Sequence, residues 1–210
     1  AALNVTANDQ PKVYGADLPA LTVSYTGLVN GDIAPATLPT VITTGDKTSS
    51  VGTYSITASG AADSNYTITY TDGTLTVTPA TLTVTADASQ TKVYGASDPT
   101  LTYAYSGLVN GDTASVFSGA LARDTSENVV DTHAINQGNL SAGSNYTIAF
   151  TPDNFTITPA ALNVTANDQP KVYGADLPAL TVSYTGLVNG DTAPATLPTV
   201  ITTGDRKSVV

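Results

Sequence analysis

The tetrapeptide Lys-Val-Tyr-Gly occupies residues 12–15 and returns at residues 92–95 and 171–174. After each copy the chain has a short turn, an alternating run and the hexapeptide Gly-Leu-Val-Asn-Gly-Asp, which ends at Asp32, Asp112 and Asp191. The first apolar run of each segment begins at Leu3, Leu82 and Leu162, so one repeat is 79 or 80 residues long. Motifs that recur in the same order at a fixed spacing indicate a tandem array.

The array divides into two complete repeats, residues 1–79 and 80–159, and a truncated third repeat, residues 160–205. Residues 1–46 and 160–205 differ at a single aligned position, Ile33 against Thr192, whereas the middle repeat has diverged. The unit of duplication is therefore a pair of repeats. Residues 206–210 depart abruptly from the repeat, and Asp-Arg-Lys-Ser-Val-Val is what a sequencing adapter encodes in this frame, so we interpret them as a non-native tail.

Alternating apolar and polar residues predict a chain made mostly of β-strands. Leu3-Asn4-Val5-Thr6-Ala7 has the period of two that a strand with one buried face shows. Asp112 is in position to cap one short helix through Phe117, and prolines 35 and 39 limit helix in the first repeat to about one turn. Further strands are predicted around Leu21–Tyr25, Leu101–Tyr105, Tyr54–Thr57, Asn65–Tyr70, Leu75–Thr78, His133–Ile135, Asn145–Phe150 and Phe155–Thr158.

Composition excludes several classes of function. Seventeen acidic residues against seven basic ones give a net charge of −10, which repels nucleic acid and anionic lipid surfaces. Cysteine is absent, so the chain has no disulfide, thiol nucleophile or cysteine zinc site. There is no methionine, and we expect the chain to be an interior segment of a longer one. There is also no apolar run of about 18 residues, so we expect no membrane span within this segment.

The recurring motif residues are predicted to be structural. A tyrosine and glycine that return in every repeat suggest a ring that covers the core of its own repeat and a glycine that opens the following turn. The aspartates that close each hexapeptide are expected to stabilise turns. The motif residues are Tyr14, Gly15, Tyr94, Gly95, Tyr173, Gly174, Asp32, Asp112 and Asp191.

Other residues that could serve in catalysis or metal binding have simpler structural interpretations. His133, the sole histidine, falls where the first repeat has Tyr54, so we expect a half-buried strand residue and no catalytic or metal site. Calcium at the Asn-Gly-Asp turns or at Asp63-Ser64-Asn65 is the alternative to solvated turns. We therefore predict no cofactor, metal or catalytic residue.

The lysines before each Val-Tyr-Gly are expected to be exposed, and an isopeptide cross-link is the alternative for Lys12, Lys92 and Lys171. The tyrosines are expected to pack in cores or as cross-strand pairs, and a sugar-binding face is the alternative for Tyr25, Tyr54, Tyr66, Tyr70, Tyr103 and Tyr105. Asn-x-Ser/Thr acceptor sequences for glycosylation begin at Asn4, Asn65, Asn139, Asn145, Asn154 and Asn163.

The chain resembles the YGX-type MBG repeats of large bacterial surface proteins. The resemblance lies in five motifs and their order: Lys-Val-Tyr-Gly-Ala, Asp-Pro, Gly-Leu-Val-Asn-Gly-Asp, Ser-Asn-Tyr-Thr-Ile and a closing Ile-Thr-Pro-Ala. Those repeats occur in filamentous-haemagglutinin-like exported adhesins. The resemblance implies small, mostly β, grasp-like modules, with immunoglobulin-like sandwich modules as the alternative. It also implies a secreted or cell-surface location, and it supplies no catalytic residues.

We therefore predict a non-enzymatic stalk segment of a surface adhesin, with multivalent carbohydrate- or protein-binding modules as the alternative. Neighbouring repeats are expected to stack in cis, at roughly 30 Å per repeat, because the joints after prolines 79 and 159 are too short for free rotation. A host glycan or protein is expected to bind other parts of the longer chain. The third repeat lacks the second half of the proposed core, so residues 160–210 are expected to exchange amide hydrogens almost freely.

Overall fold

A computed structural model describes residues 1–129 and 131–203, which form strands, turns and one short 3₁₀ helix. The tail Arg206–Val210 lies outside the described residues. The strands are β1 (Ala2–Ala7), β2 (Gln10–Val13), β3 (Val23–Thr26), β4 (Thr40–Thr43), β5 (Gly52–Ser59), β6 (Thr67–Thr71), β7 (Gly73–Thr78), β8 (Ala80–Ala86), β9 (Gln90–Val93), β10 (Tyr103–Ser106), β11 (Ala122–Arg123), β12 (His133–Asn136), β13 (Tyr146–Thr151), β14 (Asp153–Thr158), β15 (Asn163–Ala166) and β16 (Val182–Thr185).

The chain forms two compact units. The first comprises Ala1–Asp87, Leu101–Arg123 and Ile135–Asp153, and the second comprises Ala88–Thr100, Asp124–Ala134 and Asn154–Val210. The prediction of a mostly β chain built from tandem repeats is confirmed. The divisions predicted at residues 79, 159 and 205, and the grasp-like detail, stay predictions.

In the first unit, the first repeat forms two sheets. One has the strand order β3-β1-β6, with β1 antiparallel to β3 and parallel to β6. The other has the order β2-β7-β5-β4, with β2 parallel to β7 and the other pairs antiparallel. Alternation along β1 buries Leu3, Val5 and Ala7, which share one core with Ile56 and Leu75 from the second sheet.

The second repeat reproduces the first of these sheets in the same unit. Strands β10, β8 and β13 are ordered β10-β8-β13, again with one antiparallel and one parallel pair. Strands β11 and β12 form an antiparallel pair. The 3₁₀ helix spans Ala114–Val116, and its N-cap is Thr113 rather than Asp112 as predicted, because the Thr113 side chain accepts the bond from the backbone N–H of Ser115.

In the second unit, β9 pairs with β14 in parallel and β15 pairs with β16 in antiparallel register. Strand β15 corresponds to β1, but all four of its residues are exposed. Leu162, just before the strand, and Val164 within it are 38% and 41% exposed, whereas their counterparts Leu3 and Val5 are fully buried. The described part of the third repeat therefore has strands without a closed core.

Candidate functional site

The hexapeptide forms a tight turn that fixes its aspartate. Asn30 and Gly31 adopt φ values of 58° and 83°, and the N–H of Asp32 donates to the carbonyl of Val29. Two consecutive residues with positive φ favour Asn-Gly, which explains why this dipeptide recurs in every copy of the hexapeptide.

Each turn aspartate accepts a hydrogen bond from a tyrosine of the same repeat. The Tyr66 hydroxyl donates to Oδ2 of Asp32 at 2.7 Å, and the Tyr146 hydroxyl donates to Oδ2 of Asp112 at 2.7 Å. Each tyrosine oxygen also accepts the backbone N–H of the turn valine, Val29 or Val109, at 3.0 Å. The turn is therefore held from both ends by one ring.

The sequence interpretation did not single out these two tyrosines as partners of the aspartates. The available signal was the tyrosine of Ser-Asn-Tyr-Thr-Ile, which follows the turn aspartate by 34 residues in both complete repeats. A constant separation between two recurring polar groups is what a conserved contact inside each repeat produces.

The tyrosine of the Lys-Val-Tyr-Gly motif reaches the turn of the following repeat. The Tyr14 hydroxyl donates to Oδ2 of Asp112 at 3.1 Å, and its ring meets that of Tyr146 edge to face, with centroids 5.5 Å apart. Tyr14 is 7% exposed. The prediction placed this ring over the core of its own repeat, whereas the structure places it against the next one.

The glycine of the motif lies against the same turn. A Cβ atom added to Gly15 would be 2.4 Å from Cγ2 of Val109, a distance that no real Cβ tolerates. Gly15 has φ +81°, so both its backbone conformation and the close approach of Val109 require a residue without a side chain.

Gly31 provides a matched control for a test of this close approach. It has φ +83° and no atom within 4 Å of an added Cβ. We expect Gly15→Ala to destabilise the first unit by about 1–3 kcal/mol more than Gly31→Ala, because both variants strain the backbone but the first also overpacks against Val109. Urea unfolding of the full chain measures this difference, and equal losses for the two variants would contradict it.

The second unit contains the same contact once more. The Tyr94 hydroxyl lies 3.4 Å from Oδ2 of Asp191, and a Cβ on Gly95 would lie 2.5 Å from Val188. The third copy of the motif differs, because Tyr173 is 91% exposed and Gly174 has nothing within 4 Å of an added Cβ. The motif therefore contacts the following hexapeptide in the first two repeats, buried at Tyr14 and half-buried at Tyr94, and is open in the third repeat.

Burial and the Asp112 carboxylate raise the pKa of Tyr146 to about 12, while the N–H of Val109 acts in the opposite direction. Burial is the largest cause, because an ionised phenolate would lose its water. A second negative charge beside Asp112 is also unfavourable. The hydroxyl therefore remains a donor at neutral pH.

This pKa predicts a loss of stability in alkali. At pH values below about 10, both the folded and the unfolded chain keep the Tyr146 proton, so this hydroxyl makes its full contribution to stability. Between about pH 10 and 12 the unfolded chain loses the proton while the folded chain keeps it, so the contribution decreases. We expect the free energy of unfolding to fall there by up to about 1.4 kcal/mol per pH unit more in the native chain than in Tyr146→Phe. Urea unfolding from pH 8 to 11.5 tests this, and parallel pH curves for the two proteins would refute it.

His133 was predicted to be half buried, and this is wrong. It has no exposed surface, and its Nδ1 and Nε2 lie 3.0 and 2.8 Å from Oδ1 of Asp124 and the carbonyl of Asn128. Hydrogen bonding to His133 holds the pKa of Asp124 below its usual range. Because both partners are acceptors, an imidazolium that donates from both nitrogens satisfies the geometry.

The expected exposure of the motif lysines is wrong for two of the three. Lys12 is 6% exposed and donates to the carbonyl of Lys47 at 3.1 Å. The Lys92 side chain is also 6% exposed and pairs with Asp98 at 2.7 Å and Glu127 at 2.6 Å. The hydrogen bond to Asp98, followed by that to Glu127, raises the pKa of Lys92, so the amine stays protonated and is a poor nucleophile for an isopeptide bond.

The carboxylates in the turns accept hydrogen bonds that stabilise the turns. Asp63 accepts the backbone N–H groups of Asn65 at 2.8 Å and Ala36 at 3.0 Å, in addition to the tyrosine contacts of Asp32 and Asp112. Within residues 1–129 and 131–203 there is no group of three or more histidine, cysteine or acidic side chains placed to hold a metal ion. In the same residues no helix is long and apolar enough to cross a membrane.

The family model described as MBG domain (YGX type) matches the chain three times, over residues 3–76, 82–156 and 162–209. These matches cover most of the sequence and follow the three copies of the motifs. No curated protein matches the chain, and no solved structure does.

Proposed function

Because the chain belongs to the MBG domain (YGX type) family, we propose that it is a non-enzymatic stalk segment of a bacterial cell-surface adhesin. MBG repeats are structural repeat domains typical of extracellular surface proteins. In such a segment the recurring motifs serve the joints between repeats, and the chain's role is to extend and orient other parts of a longer protein.

The joint between the first two repeats supports this proposal most directly. Tyr14 of the first repeat packs against Tyr146 and Asp112 of the second. Gly15 has no side chain and so leaves room for Val109 of the second repeat. A second contact across the same joint runs from Asn145, whose side-chain oxygen accepts the backbone N–H of Val51 at 3.0 Å. Two separate contacts between repeats that are joined by a short linker resist bending and twisting, as a stalk requires.

A distance distribution between spin labels tests the stiffness of this joint. The chain has no cysteine, so Ile33→Cys and Ser118→Cys, both at exposed positions of the first unit, give two unique sites. We expect one narrow distance peak in the native background and a broader one with Tyr14→Ala. A broad distribution in the native background would contradict a stalk joint.

A carbohydrate- or protein-binding role is the second candidate function, and one aromatic cluster favours it. Tyr103, Tyr105 and Phe117 lie with ring centroids 5.0 to 6.5 Å apart, and Tyr105 is 43% exposed. Partly exposed rings of this kind bind the apolar faces of sugars. The first repeat has Val23 and Thr37 where the second has Tyr103 and Phe117, so this cluster belongs to one repeat and gives little multivalency.

A glycan array probed with the full chain and with Tyr105→Ala separates the two functions. Binding that is lost in Tyr105→Ala would support the binding module and count against a purely structural role. An array without signal, from a chain shown to be folded by circular dichroism, supports the stalk.

A further inference from the structure

Strand β4 forms an edge of the four-stranded sheet in the first repeat. It pairs with β5, and among the residues that the structure describes it has no partner strand on its other side. The N–H of Thr44 donates to the carbonyl of Ser55 at 3.3 Å, which fixes the direction of the alternating backbone groups. The N–H and C=O groups of Val41 and Thr43 therefore point away from β5, toward the open edge where a further strand can bind them.

The segment that contains β4 is uncharged and exposes apolar side chains. Residues 33–45 include no acidic or basic residue, although the chain as a whole has a net charge of −10. Burial alternates without interruption over residues 38–45, which places Leu38 and Ile42 on one exposed face. Ile33, Leu38 and Ile42 are 89%, 63% and 60% exposed, and they are the most exposed large apolar side chains of the first repeat.

The carboxylates at the two ends of this segment are engaged within the first repeat. Asp32 accepts the hydroxyl of Tyr66 at 2.7 Å, and Asp46 accepts the backbone N–H of Thr48 at 2.8 Å. Two chains that each carry a net charge of −10 repel one another, and the repulsion is weakest where neither presents a charge. The uncharged edge is therefore the surface on which contact between two copies costs least.

The second repeat protects the equivalent edge. Arg123 of β11 lies opposite Ile135 as Thr43 of β4 lies opposite Ile56, and β11 is only two residues long. A short edge strand with a charged side chain resists the addition of another strand. The sequence Thr-Val-Ile-Thr of β4 has neither of these protections.

We propose that β4 pairs with β4 of a second copy of this chain, antiparallel and about a two-fold axis at Ile42. In this register Ile42 lies opposite Ile42 of the second copy, and Thr40 lies opposite Thr44. Val41 of each copy exchanges backbone hydrogen bonds with Thr43 of the other. The strand is complementary to itself, which is what a two-fold contact between identical chains requires. The pairing adds lateral contact between copies to the reach of the proposed stalk.

The contact is small. Residues 40–44 of each copy take part, whereas a stable interface uses roughly 20–30 residues a side. A single pair of strands is therefore weak, and it forms where copies are held side by side at high local concentration.

Disulfide trapping tests the pairing and its register, because the native chain has no cysteine. Residues opposite each other in a non-hydrogen-bonded antiparallel pair have Cα atoms about 4.5 Å apart, which a disulfide can span. We expect Ile42→Cys chains to cross-link under mild oxidation at least about tenfold faster than Ile33→Cys or Ile201→Cys chains.

The two controls separate strand pairing from simple exposure. Ile33 is more exposed than Ile42 and lies on the same uncharged segment but outside β4, and Ile201 has the same neighbours in sequence but lies in no strand. Equal rates at positions 42 and 33 would overturn the proposal, because they would report random collision. A rate at position 201 that equals the rate at 42 would do the same.

A charge exchange at Ile42 tests the pairing without a cross-link. We expect the amides of Val41 and Thr43 to exchange at least about twofold more slowly at about 1 mM chain than at about 10 μM. Ile42→Lys and Ile42→Glu each place like charges opposite one another and should each lose this effect, whereas an equimolar mixture of the two should restore it. The side chain is exposed, so both variants should keep the native circular dichroism. Protection that does not depend on concentration, an effect that persists in Ile42→Lys, or a mixture that does not restore it would overturn the proposal.

Discussion

Replacing Tyr14 with alanine is expected to lower the free energy of unfolding of the first compact unit by about 3 kcal/mol. The loss has three sources: burial of a ring that is 7% exposed, its edge-to-face contact with Tyr146, and its hydrogen bond to Asp112. For a unit of this size it corresponds to a fall in Tm of roughly 10 °C. Calorimetry or urea unfolding of the full chain measures it.

Tyr173→Ala is the matched control for this variant. Tyr173 occupies the same place in an identical stretch of sequence but is 91% exposed, so its loss is expected to change stability by less than about 0.5 kcal/mol. Similar losses for the two variants would show that the following repeat does not determine the energy of the motif. An unchanged Tm in Tyr14→Ala would also contradict the account.

The described part of the third repeat is expected to exchange its amide hydrogens far faster than the first repeat does. Leu3 and Val5 lie in a closed core between two sheets, whereas the same residues at positions 162 and 164 are about two-fifths exposed on a two-stranded sheet. An isolated two-stranded sheet is marginally stable in water. We therefore expect protection factors in Leu162–Tyr184 to be lower than those in Leu3–Tyr25 by roughly a thousandfold or more.

The two stretches provide their own control, because their sequences are identical and their intrinsic exchange rates are equal. Mass spectrometry at the peptide level resolves them through flanking residues that differ. Comparable protection in a monodisperse monomer would show that the first half of a repeat folds alone, and it would contradict the division of the core drawn from the structure.

Much of the fold could be predicted from local pattern. Period-two alternation located β1, β5 and β7, and Asn-Gly with turn chemistry located the hexapeptide turn, because both depend on residues close in sequence. The strand pairing could not be predicted in this way. The parallel pairs β1 with β6 and β2 with β7 join residues more than 60 positions apart, and no local signal specifies them.

The site shows the same limit at the level of single residues. Tyr14 and Tyr173 have identical neighbours in sequence, yet Tyr14 is buried against Asp112 and Tyr146, about 100 residues or more along the chain, and Tyr173 is exposed. Lys12 and Lys92 were expected in solvent, but a carbonyl and two carboxylates satisfy their amines in partly enclosed positions. Two of these three partners, Lys47 and Glu127, lie 35 residues along the chain from the lysines that they contact, so the recurrence of the motif identified the lysines without revealing these contacts.

The central claim is that the motif tyrosine of one repeat is held by the turn aspartate of the next. A double-mutant cycle of Tyr14→Phe and Asp112→Ala measures this directly, because phenylalanine keeps the ring and removes only the hydroxyl that donates to Oδ2 of Asp112. We predict a coupling energy of about 1 kcal/mol for this pair and none for the cycle of Tyr173→Phe with Asp112→Ala. Strictly additive losses for Tyr14 and Asp112 would contradict the account.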